Sequence, residues 1–167
     1  MSTPGAALDK EAENRGTSVY LVDRVIPMLP EQLSNGICSL NPKQDRLTTS
    51  LVMDIDMSGR ITDYKLSKGV IRTKERMTYD EVFRILREDD PALLERYSDL
   101  VPQFRLMEEL AEILSRNRTK RGAIDFDFTE TEVELDAQGK PVAITPRSRT
   151  IADKIIEEFM LVANETI

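Results

Sequence analysis

The sequence predicts an α+β fold, a mixed and mainly antiparallel sheet with several packed helices. Three observations predict it: β-rich segments open the chain, helical periodicity fills its middle, and period-two patterning returns before a last apolar helix. With 167 residues, 40% of them hydrophobic, the chain is long enough to bury a real core. No repeat, low-complexity tract or Gly/Ser linker offers a boundary between domains. The expectation is a single domain over residues 16–167, preceded by a polar segment, residues 1–15, that is poorly ordered or partial.

Structure is expected to begin near Gly16, where Thr17-Ser18-Val19-Tyr20-Leu21-Val22 is rich in β-formers. Pro27 and Pro30 punctuate a loop, with one short helical turn from Pro30 before Gly36 stops it. Residues 47–56, followed by 61–66 and 70–72, form a long antiparallel hairpin around the turn Met57-Ser58-Gly59-Arg60. Thr78 and Glu81 then spell a capping box, in which the hydroxyl takes a free amide at the helix start and the carboxylate returns to the cap amide. Asp90-Pro91 starts a second helix, proline being at home in the first turn. A third, over about residues 102–117, carries Phe104, Met107, Leu110, Ala111 and Leu114 at helical spacing. Period two returns through residues 123–128 and 131–135, and Asp136-Ala137-Gln138-Gly139 turns the chain back. Thr150 and Asp153 cap a final helix.

Composition excludes whole classes of chemistry. One cysteine, Cys38, makes no internal disulfide, and without histidine it builds no usual zinc site. The absence of histidine also removes Ser-His-Asp and Cys-His catalysis, which need an imidazole titrating near neutrality. Hydrolysis would have to rely on carboxylates and hard metal ions. No apolar run approaches the roughly 20 residues that cross a bilayer, and residues 1–16 lack the basic and apolar regions of a leader. The expected location is cytoplasmic, with no membrane or lipid partner. A formal charge of −7 argues against a polyanionic partner, since affinity for nucleic acid comes largely from Lys and Arg.

Several side chains invite a functional reading beside a plain one. Asp54 and Asp56 share a strand face, as metal-binding carboxylates or as a solvated surface running into a turn. Asp125 and Asp127 repeat the pattern, with Phe126 and Phe128 on the other face either as core or as rings for base stacking. In the last helix Ile151, Ile155, Ile156, Phe159, Val162 and Ala163 fall in one arc, while Met160 and Leu161 lie on the side of Glu157. A carboxylate so surrounded needs a cation, a metal or a donor. A simple ion pair to Lys154 or to an arginine elsewhere would serve as well.

Three blocks together resemble the RNB catalytic domain of the ribonuclease II / ribonuclease R exoribonucleases, closer to the ribonuclease R branch. They are residues 8–30, from Leu8-Asp9-Lys10-Glu11-Ala12 to Ile26-Pro27-Met28-Leu29-Pro30; residues 33–42, ending Cys38-Ser39-Leu40-Asn41-Pro42; and Arg121-Gly122-Ala123-Ile124-Asp125-Phe126 with Ile155-Ile156-Glu157-Glu158-Phe159-Met160-Leu161-Val162-Ala163-Asn164. The resemblance implies a processive enzyme that hydrolyses single-stranded RNA from the 3′ end to nucleoside monophosphates, using magnesium held by aspartates. It also implies roles. Tyr20 matches an aromatic that stacks on RNA in the channel and limits how short the final product is; Phe126 matches the ring that clamps the bases with it, Phe128 being its rival. Tyr79 matches a tyrosine that orients the RNA near the scissile end, and Glu157 a cavity carboxylate that positions the last nucleotides.

The sequence departs from that pattern at both ends. The family's aspartate cluster, D-x-x-x-x-x-D-x-D-D, and its serine-proline-arginine segment with a catalytic arginine do not occur here. The expectation is therefore an internal piece of one catalytic domain, without a metal site of its own and inactive alone, whose partners are single-stranded RNA and the remainder of the same enzyme. The competing expectation is a non-catalytic module, derived from such a domain, that binds RNA or protein.

Overall fold

The computed structural model describes residues 3–124 and 130–167, with backbone only at Glu130. Helices alternate with two-stranded antiparallel sheets in an α+β fold, and the described chain gathers into two compact units.

The first unit comprises residues up to Thr48, Val70–Arg76 and Thr131–Pro146. It opens with α1, Ala7–Arg15, where the weak periodicity of the sequence suggests nothing ordered before Gly16. Local polar contacts hold this helix in place of an apolar stripe: the Gly5 amide donates to Asp9 at 2.8 Å, and Arg15 meets Glu11 at 2.8 Å and the Pro27 carbonyl at 3.0 Å. The strand expected over residues 17–22 shortens to β1, Val19–Tyr20, paired antiparallel with β2, Val25–Ile26, in the register Val19 to Ile26 and Tyr20 to Val25. Pro27 follows at once and brings no amide to extend the ladder. The helical turn expected from Pro30 is a wide one, Gln32–Ile37, in which the Cys38 amide reaches back to the Leu33 carbonyl at 2.9 Å.

Strand β3, Asp45–Ile55, and β4, Ile61–Arg72, form the long hairpin. Strand β5, Glu130–Leu135, and β6, Pro141–Arg147, form a shorter one. The two turns use the same chemistry. Asp56 accepts from the Ser58 and Arg60 amides at 2.9 and 3.1 Å, and Asp136 accepts from the Gln138 and Lys140 amides, each at 2.9 Å. Each turn then passes through a left-handed glycine, Gly59 at φ 80° and Gly139 at φ 77°.

The buried core belongs to the second unit, Thr49–Gly69, Met77–Glu130 and Arg147–Ile167. Here α2, Tyr79–Phe83, carries the expected capping box: the Glu81 amide donates to the Thr78 hydroxyl at 3.2 Å, and the Thr78 amide to Glu81 at 3.1 Å. A wide turn, Arg84–Glu88, prolongs it to Asp89 in the left-handed conformation. Helix α3, Pro91–Arg96, starts on Asp90, which accepts from the Ala92 and Leu93 amides at 3.0 and 3.1 Å. Helix α4, Val101–Lys120, is longer at both ends than its apolar periodicity suggests, and α5, Ile151–Thr166, packs against it. Ile85, Tyr97, Ala111, Leu114, Ala152 and Ile155 are the buried apolar residues between these elements.

Candidate RNA-contact site

Tyr20 stands on the first unit as the last residue before a turn closed by the Leu21 amide on the Arg24 carbonyl at 2.8 Å. Because β1 is only two residues long, little packs over the ring, and Tyr20 is 79% exposed. Phe126, its expected partner, lies outside the described residues, as do Phe128, Asp125 and Asp127.

Tyr79 and Glu157 both belong to the second unit, and one short segment reaches both. The Thr78 cap fixes Tyr79 at the first position of α2, where its ring is half-exposed. Arg147, the last residue of β6, places its guanidinium over that ring, 6.0 Å from the centroid, and donates to Asp153 at 3.2 Å. Asp153 in turn accepts from the Thr150 amide at 2.9 Å and the Thr150 hydroxyl at 2.6 Å, the cap expected at the start of α5. Two residues after Arg147, Arg149 forms an ion pair with Glu157. Of the two readings the sequence left open for Glu157, the geometry supplies the arginine, and Glu157 is only partly buried.

The buried carboxylate is its neighbour. Glu158 is 4% exposed and receives Arg118 of α4 through Nη2 at 2.6 Å and Nε at 3.1 Å. Its spacing from Ile151, Ile155 and Val162 was the available signal. Position 158 falls at the edge of the apolar arc of α5, beside Ile151, Ile155 and Val162, where a buried acid needs a fork-shaped donor from the facing helix.

Asp54 is exposed, and Asp56 is committed to its turn, where the Ser58 hydroxyl at 2.5 Å and the Arg60 amide hold its carboxyl down to about 2. The pair is surface and turn, the plain reading of the two. Among the described residues no three acidic or thiol side chains come together to hold a metal ion. The described residues do not fit a magnesium site.

A cavity of about 600 Å³ opens in the second unit between the β3–β4 turn, the end of α4 and α5, with Arg60, Lys120, Arg121 and Glu165 among its lining. Neither Tyr79 nor Glu157 lines it. No described helix is long and apolar enough to cross a membrane.

The model of the RNB domain matches this chain over residues 1–167. The chain belongs to the RNB family. Ribonuclease R 1 of Lactococcus lactis is 52% identical over 165 residues, which are 99% of this chain and 20% of that protein. Ribonuclease R of Thermotoga maritima is 52% identical over 164 residues, 98% of this chain and 23% of that one. Among solved structures, ribonuclease R of Mycoplasma genitalium in complex with ribose-methylated single-stranded RNA superposes with a TM-score of 0.86 at 34% identity. That comparison covers 99% of this RNB chain and 26% of its neighbour. The chain thus spans about a fifth to a quarter of the length of the ribonuclease R proteins it matches.

Proposed function

We propose that this RNB chain is the RNA-gripping part of a processive 3′-to-5′ exoribonuclease. In this reading the enzyme works in the cytoplasm, hydrolyses single-stranded RNA to nucleoside monophosphates, and holds its magnesium on residues other than those described here. Tyr20 and Phe126 clamp the bases, Tyr79 orients the strand near the scissile end, and Glu157 positions the last nucleotides.

The observation that carries the reading is the open ring of Tyr20 at a hairpin tip, in a chain matched along its whole length by the RNB domain. Base stacking on an exposed ring contributes about 1–3 kcal/mol per base and is indifferent to sequence, which suits an enzyme that must accept every base. Stacking also reconciles a formal charge of −7 with an RNA partner, because this grip needs no excess of cations.

Fluorescence anisotropy with a short labelled single-stranded RNA tests the proposal in the full-length polypeptide that contains this chain. Tyr20→Ala and Phe126→Ala are each expected to weaken binding roughly five- to 150-fold, the equivalent of that stacking energy. Unchanged affinity in the double variant would remove the clamp.

A further inference from the structure

The segment from Arg147 to Arg149 is used by none of the roles above, yet it touches both Tyr79 and Glu157. Two cations alternate along it. Arg149 is turned toward Glu157 and its side chain is only 22% exposed, whereas the Arg147 side chain is 47% exposed beside a Tyr79 that is itself 45% exposed. A half-open guanidinium over a half-open phenol ring forms a two-part platform: the ring offers a stacking face, and the fork offers paired donors for a tetrahedral anion.

We propose that Arg147 is a phosphate-binding residue of the RNA path, gripping a backbone phosphodiester of single-stranded RNA while the adjacent Tyr79 meets the same nucleotide. This rests on the RNA-gripping reading above and extends it to a residue and a ligand group. The Arg147–Asp153 contact at 3.2 Å is compatible with that role. The pair is half-open to solvent on the arginine side, so a phosphodiester can join the carboxylate at the exposed edge of the guanidinium. Asp153 remains fixed in either state, because the Thr150 amide and hydroxyl hold it at 2.9 and 2.6 Å. Arg149 is a positioning residue, its guanidinium setting the direction of the Glu157 carboxylate.

The salt dependence of RNA affinity separates a phosphate contact from a structural one. For single strands, each phosphate neutralised contributes about 0.7 to the slope of log affinity against log salt. In the full-length polypeptide, Arg147→Gln is expected to reduce that slope by about 0.7, and Arg147→Lys, which keeps the charge, to preserve it. Circular dichroism melting of both variants accompanies the binding series. A wild-type slope in a folded, RNA-binding Arg147→Gln protein would overturn the assignment. So would an equal drop in both variants, which would trace the effect to disturbed structure in place of lost charge. Because these readouts need only that the protein binds RNA, their failure is distinct from failure of the clamp, in which affinity would not respond to Tyr20 and Phe126.

Discussion

Arg118 and Glu158 form a fork-to-carboxylate pair across the α4–α5 interface, with side chains only 17% and 5% exposed. Both ions leave water, and their attraction has to offset that loss, so the pair is costly to break from one side and less costly to replace whole. Glu158→Leu, which takes the carboxylate from a largely buried arginine, is expected to destabilise the domain by about 3 kcal/mol in urea unfolding. Adding Arg118→Met should recover most of that loss. A double variant no more stable than the single one would show that the pair contributes more than its own compensation.

The two aspartate turns offer a matched comparison. A Cβ at Gly59 would lie 2.6 Å from Asn117 Nδ2 and 2.7 Å from Ile113 Cγ2, whereas one at Gly139 meets nothing within 4 Å. Both glycines have positive φ, so alanine pays backbone strain of about 1 kcal/mol or more at either site. Only Gly59→Ala must also push aside the Ile113 and Asn117 side chains of α4, and Asn117 donates to the Ser58 carbonyl at 2.6 Å. Gly59→Ala should therefore lower the thermal midpoint more than Gly139→Ala, and equal losses would contradict the close seating of the turn.

Acid should open the Asp56 turn late. Its carboxyl titrates at about 2, below the ordinary 3.8, because the Ser58 hydroxyl and the Arg60 amide bond to the charged form. Protonation then favours the unfolded turn, so the contribution of Asp56 is fully present above 3.8 and is lost as pH falls through about 2. Carboxyl-detected NMR titration should find the Asp56 midpoint near 2, and a midpoint at the ordinary value would remove the hydroxyl contact.

What the sequence disclosed and what it withheld follow one physical division. Contacts between near neighbours were legible: Thr78 with Glu81, Asp90 with the amides after Pro91, Asp136 with the turn to Lys140. The register of a cap or turn is set within a few residues, and the residue types announce it. Contacts between distant residues were not. Glu158 finds Arg118 forty positions away, and Arg147 finds Tyr79 across most of the second unit, pairings that only the packing of α4, α2 and α5 creates. The same limit explains Glu157, singled out by Met160 and Leu161 on its own side of the helix, although Met160 is exposed. Helix α1 escapes the pattern because an ion pair and a glycine stop hold it, leaving no stripe to read.

Product length tests the central claim most directly. Full-length protein carrying this chain should shorten a 5′-labelled single-stranded RNA from its 3′ end, and Tyr20→Ala should stop at a longer final fragment, since the ring at the tip of β1 no longer holds the shortest products in the path. An identical final fragment from wild type and Tyr20→Ala would contradict the account.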